Sequence, residues 1–249
     1  MQRLLNHDLA MHNESDSSKI DNLYNSQYVT WKGWKNLFNP LPFEIRYFEG
    51  EFLNMPLNSK RILEIGFGAG TFISWASQVG ANVSGCELIE ELCLAGAAKG
   101  FDTRFGDISI FNANSERFDL IVAFDVMEHI EANKLVEFMI CVRKLLKPDG
   151  MFMARTPNGG SPWGLMYQNS DISHVTILSP GRFQQLADAS GMQLVDCRNA
   201  YRVLKSNSQF TDRIRFLIRD LMEWITSSVY GLWKVPLDPN IVAQFRLKL

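Results

Sequence analysis

A short apolar run, 61-RILEI-65, carries one carboxylate, Glu64, and ends in glycines separated by single residues, Gly66, Gly68 and Gly70. Glycines at this spacing tolerate positive φ and let the backbone approach a ligand closely, because no Cβ intervenes. A dinucleotide turn would place its third glycine at position 71, which is Thr71 here. Glu64 would also repel a pyrophosphate, whereas a cationic ligand gains from it. Glu87 ends the next apolar run, about 20 residues beyond Gly66, the offset at which an acid takes ribose hydroxyls. Asp107, in 106-GDI-108, offers an acceptor to the amino group of adenine. Phe124 ends a fourth run, 119-DLIVAF-124, where a ring can lie against an adenosyl or methionine group.

A ligand with a nucleoside, positive charge and no phosphate suits all four positions. S-adenosylmethionine (SAM) is such a ligand, and Glu64 would act on its amine electrostatically or through water. Moving an activated methyl group to a hydroxyl also requires that a proton leave the acceptor, a task histidine performs near neutral pH. There are four histidines. His7 and His12 stand in a polar N-terminal stretch. His129 closes 125-DVMEH-129, and His174 lies in 169-NSDISHVTILSP-180. His174 is the first candidate base and His129 the second. The plain alternative for His174 is a hydrogen bond that holds its own loop.

These residues need elements to position them. Short apolar runs alternate with amphipathic stretches from Lys60 on. RILEI, NVSGCE, DTRFGD, DLIVAF and MFMART read as strands. The stretches 70-GTFISWASQV-79, 89-IEELCLAGAAK-99 and 132-ANKLVEFMICVRKLLK-147 read as helices, the last stopped by 148-PDG-150. Such alternation predicts an α/β fold, a mostly parallel sheet with helices on both faces. Every candidate cofactor residue then falls at a strand's carboxyl end, where open parallel sheets bind ligands. Beyond Asn158, 159-GGSPWG-164 reads as a loop, 179-SPGRFQQLADASG-191 as a capped helix, 192-MQLVDCRNAY-201 as a strand. The alternating 240-NIVAQFRLKL-249 reads as a last strand at the sheet's edge.

Composition narrows the function classes. The 249 residues carry a formal net charge of -2, so no basic field draws the chain to nucleic acid. Four cysteines, Cys86, Cys93, Cys141 and Cys197, show neither metal nor redox spacing, and read as thiols of a reducing compartment, the cytoplasm. The first twenty residues lack the apolar core of a signal peptide. Two regions are predicted: a polar tail and aromatic helical cap over 1–59, and a SAM-binding domain over 60–249 interrupted by an amphipathic insertion at about 206–236. The cap's aromatics, Tyr24 to Phe52, pack on the domain or roof a ligand pocket.

Taken together, RILEIGFGAGTF, VSGCEL, FGDI, FDLIVAFDVMEHI and LLKPDGMFMARTPN, over about residues 60–160, resemble the class I SAM-dependent methyltransferases. The DVMEH ending is similar to the branch of ubiquinone-biosynthesis O-methyltransferases and to methyltransferases of bacterial polysaccharide clusters. The resemblance implies a Rossmann-like fold whose last strand is antiparallel. It implies SAM held by Arg46, Glu64, Gly66, Phe67, Gly68, Gly70, Glu87, Leu88, Asp107, Ile108 and Phe124, with Arg46 on the SAM carboxylate. In the quinone branch the positions of Asp125, Glu128 and His129 are implicated in binding a divalent metal. Asp replaces the family's Glu at the first, so no metal is expected here. Glu128 and His129 are read instead as capping the following helix or pinning its loop.

The resulting expectation is an O-methyltransferase acting on a small-molecule, quinone-type or lipid-linked glycan hydroxyl. The alternatives are an NAD-linked oxidoreductase or a SAM-binding protein without catalysis. In the insertion, Phe210, Ile214, Leu217, Leu221, Ile225, Val229 and Leu232 form one helical apolar stripe. Trp224, Tyr230 and Trp233 add amphipathic rings. Three fates compete for this stripe: packing on the protein's own core, a homodimer interface, or peripheral contact at the inner face of the membrane.

Overall fold

The computed structural model of the chain describes residues 27–115, 117–204, 209–232 and 235–248. His7, His12, Tyr24 and Trp233 lie outside them. Residues 27–37 belong to one compact unit and those from Phe38 onward to another. In the first, residues 27–32 are helical and Tyr28 meets Trp34 edge-on at 5.7 Å.

The second unit is built on seven strands. They are β1 (Arg61–Ile65), β2 (Asn82–Glu87), β3 (Asp102–Phe105), β4 (Phe118–Phe124), β5 (Leu146–Pro157), β6 (Met192–Asn199) and β7 (Asn240–Leu247). Their spatial order is β3-β2-β1-β4-β5-β7-β6, with β1 to β5 parallel and β7 antiparallel to both neighbours. The central strands read as continuous apolar runs because both their faces are covered. On one face α1 (Pro42–Glu51) and α2 (Thr71–Gln78) bring Phe48, Phe52, Phe72 and Trp75 onto Ile62, Leu120 and Val122. On the other, α4 (Leu135–Leu145) and α6 (Pro180–Ser190) bring Met139, Val142 and Phe183 onto Leu63, Ile121 and Phe245. Between them in sequence, α3 (Glu90–Ala98) packs on β2 and β3.

Three expectations change. β7 does not return at the edge; it inserts between β5 and β6, pairing Ala154 with Ala243 and Ala243 with Cys197. The long helix ends at Leu145 rather than at the PDG turn, and Leu146 already lies in β5. Pro148 accounts for this, since the residue before a proline is biased out of the helical region. The GGSPWG loop contains a helix, α5 (Pro162–Gln168). Ser161 caps it, its Oγ accepting from the Trp163 amide at 3.2 Å, and Pro162 supplies a first-turn residue with φ already set.

The insertion forms α7 (Gln209–Val229). Its apolar stripe does not pack on the core: Phe210, Leu217, Leu221, Trp224 and Val229 are all exposed, while the buried residues of the helix are Asp212 and Glu223. No described helix is long and apolar enough to cross a membrane.

Candidate active site

The strand order turns back between β1 and β4, which opens a crevice at their carboxyl ends. The glycine turn after β1 is fixed from both sides. Gly66 N–H donates to the Cys86 carbonyl at 2.8 Å, and Gly68 N–H donates to Glu87 Oε2 at 3.0 Å. Gly66, Gly68 and Gly70 all have positive φ, at 63°, 51° and 69°. The protein's own side chains add a second requirement at two of them. A Cβ on Gly66 would meet Val126 Cγ2 at 2.6 Å, and one on Gly70 would meet the Phe38 ring at 2.3 Å. The spacing of glycines therefore reports packing as well as ligand approach.

Glu87 stands where an acid can meet a ribose, and it is already organised. Its Oε1 accepts from the amides of Leu88 at 2.7 Å and Ile89 at 3.3 Å, while Oε2 holds Gly68. Burial raises its carboxyl above the usual range, and these three amides act against that. Glu64 is also buried. Its Oε2 accepts from Ile73 N–H at 3.1 Å, so it caps the first turn of α2. Burial again raises its carboxyl well above the ordinary range, opposed by the Ile73 amide. Asp107 Oδ1 accepts from Ser109 N–H at 2.8 Å, opening the short 3₁₀ turn Ile108–Ile110. The Ile108 side chain lies in the core and Leu88 is exposed. Phe67 is buried against Phe38, with ring centres 5.8 Å apart.

Phe124 joins the aromatic cluster under α1, edge-on to Phe72 at 5.4 Å, rather than standing open to a ligand. Arg46 is on the same helix. Its Nε is buried without a hydrogen-bond partner, as expected of a guanidinium whose anion arrives with the ligand. Sequence reasoning missed the group that meets the next residue, Tyr47. Arg155, at the end of β5, forms a two-point ion pair with Asp125, Nε to Oδ1 at 3.1 Å and Nη2 to Oδ2. The guanidinium lies over the rings of Tyr47 at 5.0 Å and Phe124 at 5.1 Å. Burial opposes the Arg155 charge, and Asp125 more than restores it. Burial likewise raises the Tyr47 hydroxyl above the usual phenol range, with Arg155 pulling the other way. Asp125 has φ 57°, the one local sign of this cluster, and that angle cannot be read from residue type.

His129 and His174, 45 positions apart in the chain, come together with ring centres at 4.7 Å and planes at 74°. Val126, which packs on Gly66, is three residues before His129, so the pair adjoins the glycine turn. The Gln168 carbonyl lies 3.1 Å from His174 Nδ1 and can only accept, so Nδ1 carries the proton and Nε2 the lone pair. Asp171 Oδ2 lies 3.9 Å from that Nε2. Ser173 donates its proton to Asp171 Oδ1 at 2.6 Å, so it accepts from His129 Nδ1 at 2.8 Å. Glu128 and His129 do not cap a helix, because α4 begins only at Leu135. They pin the 171–176 loop: Thr176 N–H donates to the Glu128 carbonyl at 3.0 Å and Thr176 Oγ1 to that of Ile130 at 2.6 Å.

Asp125 is thus turned to Arg155. Among the described residues a different trio, Glu128, His129 and His174, brings its ligand atoms within 4.8 Å of one another. One carboxylate and two imidazoles form a donor set that fits a divalent ion. A groove of about 860 Å³ lies elsewhere, bordered by Lys60, Asp119, Lys147 and Arg246 toward the amino ends of β1, β4 and β5. Asp119 pairs there with Lys147 at 2.7 Å and Lys60 at 3.7 Å.

The family model of a methyltransferase domain matches residues 44–196, more than half of the chain. The chain belongs to the SAM-dependent methyltransferases. Its cofactor is SAM, and the NAD-linked reading is set aside. A similar curated protein is the mitochondrial ubiquinone biosynthesis O-methyltransferase of Rattus norvegicus, 33% identical over 41% of this chain and 32% of that protein. The ubiquinone biosynthesis O-methyltransferase of Roseobacter denitrificans is 28% identical over 57% of this chain and 63% of its own length. The chain thus spans between about a third and somewhat under two thirds of these relatives. Among solved structures, a SAM-dependent methyltransferase from Archaeoglobus fulgidus has the same fold, with a TM-score of 0.57, 16% identity, and coverage of 81% of this chain and 92% of that one. The methyltransferase has the expected Rossmann-like architecture, a mostly parallel sheet with an antiparallel β7.

Proposed function

We propose that this methyltransferase is an O-methyltransferase and that His174 Nε2 takes the acceptor's proton. The observation that carries this reading is the tautomer set by the Gln168 carbonyl, which leaves the lone pair of the neutral ring on Nε2. When bound, SAM supplies a methyl group activated by its sulfonium. His174 receives the hydroxyl proton as the O–C bond forms and the C–S bond breaks, leaving a neutral thioether. Gly68, Glu87 and Arg46 hold the donor in line, and alignment alone can supply several kcal/mol of barrier lowering. The acceptor class is a hydroxyl on a quinone-type ring or a lipid-linked glycan. The first is supported by the names of the relatives, and either by the exposed apolar side chains Trp163, Met166 and Tyr167 on α5 and Ile172 in the loop that carries His174.

The test is methyl transfer from labelled SAM to hydroxyl acceptors of both classes. His174→Ala should lower turnover roughly 10²–10⁴-fold, the usual contribution of a general base, with SAM affinity unchanged. A turnover close to wild type in His174→Ala removes the role and transfers the question to His129.

The Glu128–His129–His174 trio supports a second reading, in which these residues hold a divalent ion that polarises the hydroxyl. Chelator treatment separates the two readings: activity that survives leaves His174 as base, and activity restored by added metal makes it a ligand.

A further inference from the structure

α7 is mounted with its polar side inward and its apolar side outward. Leu217 and Trp224 are 67% and 66% exposed, whereas Asp212 and Glu223 are 4% and 3% exposed. The mounting is fixed by a cationic clamp from the segment after β6. Arg202 pairs with Asp220 at 2.6 Å, Glu223 at 3.3 Å and Asp238 at 2.5 Å. Glu223 Oε1 also accepts from Asn199 Nδ2 at 2.6 Å and from Leu237 N–H at 3.0 Å. A roll that hid the apolar side would strip the buried Glu223 carboxylate of these partners, which is the costlier state.

The outward face is broad. At 100° per residue, Trp224, Leu217, Phe210, Leu221, Ile214, Ile225 and Ile218 fill one continuous arc of the helix. Exposed arginines flank it, Arg213 at one edge and Arg215 beyond the other, where it pairs at 3.1 Å with the buried Asp212; Arg219 lies on the inward side and pairs with Asp238 at 3.5 Å. Asp220, beside Arg213, is already neutralised by Arg202. The helix has 21 residues and so presents an apolar strip about 30 Å long with positive borders.

We infer that α7 lies in the surface of an anionic lipid bilayer, its apolar arc among the acyl chains and its arginine borders at the headgroups. The charge pattern selects this occupant. A two-fold pairing of the same face in a second copy would bring arginine borders toward arginine borders, while a negative surface satisfies both borders at once. The helix joins the end of β6 to the start of β7, at the same end of the sheet as the glycine turn and the histidine pair. Membrane contact therefore turns the acceptor side of the site toward the lipid, where α5 adds exposed Trp163 and Met166.

The experiment is flotation of the full chain with vesicles of phosphatidylcholine, alone or mixed with phosphatidylglycerol. Each run is paired with calorimetric SAM affinity as a readout of the intact fold. Wild type should float with the mixed vesicles and far less with the neutral ones, and added salt should weaken the binding. Leu217→Glu with Leu221→Glu should reduce partitioning at least about tenfold at unchanged SAM affinity, since charges replace buried apolar side chains. Arg213→Glu should remove part of the preference for phosphatidylglycerol. A wild type that stays off mixed vesicles, or flotation indifferent to the double variant, overturns the inference. So does a dimer in sedimentation velocity that the double variant dissociates while vesicles remain unbound.

Discussion

Glu64 is a buried carboxylate that the fold itself already uses. It is the acid at the mouth of the glycine turn, yet its described bond goes to Ile73 and its function there is to cap α2. Its raised pKa gives a sign that can be checked. The folded protein binds this proton more tightly than the unfolded chain, so the contribution to stability is full below the ordinary value of about 4.3 and is lost as pH rises through the folded value. Glu64→Gln keeps an oxygen for the Ile73 amide and removes the charge. Its melting temperature should match wild type at acid pH and exceed it increasingly toward pH 8; parallel curves in thermal scans would refute the assignment. Glu87 is held beside the glycine turn by its three amide bonds. Glu87→Ala should weaken SAM binding by about 1–3 kcal/mol, read by calorimetry, because the ribose hydroxyls lose their acceptor. Residue types and offsets put Glu87 and the glycines at one end of the sheet, and there the Gly68 amide meets Glu87. Arg155 and the redirection of Asp125 were not legible in the sequence, because an ion pair between residues thirty apart depends on strand register and on a left-handed Asp.

At the scale of elements, periodicity locates a stripe but carries no direction. The steps that relate Phe210 to Val229 are those of any core-facing helix, and only the Arg202 clamp turns the stripe outward. Removing the clamp should therefore act on one element first. Arg202→Ala leaves Glu223 and Asp238 with buried charge and should cost about 3–5 kcal/mol, appearing as accelerated hydrogen exchange in residues 209–232 while the β1–β4 core stays protected. Uniform loss of protection across the sheet would contradict that view of α7. The strands are the converse case. RILEI matches β1 residue for residue, its last four residues buried in the middle of the sheet, and NVSGCE matches β2 residue for residue although only Gly85 and Cys86 of it are buried. The place of β7 escaped the same reasoning: alternation in 240–247 distinguishes two faces, but both an edge strand and an inserted one satisfy it.

The larger unit is a sheet whose carboxyl end carries the glycine turn with Glu87 and, on the turns that follow β4 and β5, the histidine pair. That both sites were legible follows from the topology, which sends every βα turn to the same end. The way the His129–His174 pair is held was not, since it depends on Ser173, Asp171 and the Gln168 carbonyl acting across a loop. The donor site is the part on which every other role rests, and it has a direct test. Gly68 has φ 51° and its amide is held by Glu87, so a side chain there must distort the turn and a carboxylate must repel its neighbour. Calorimetric titration of SAM into wild type and into a folded Gly68→Asp variant, with NAD as control ligand, puts the site to the test. Saturable SAM binding to wild type, none to the variant and none by NAD is the expected result. Near-normal SAM affinity in the folded variant would contradict the placement of the donor at the glycine turn.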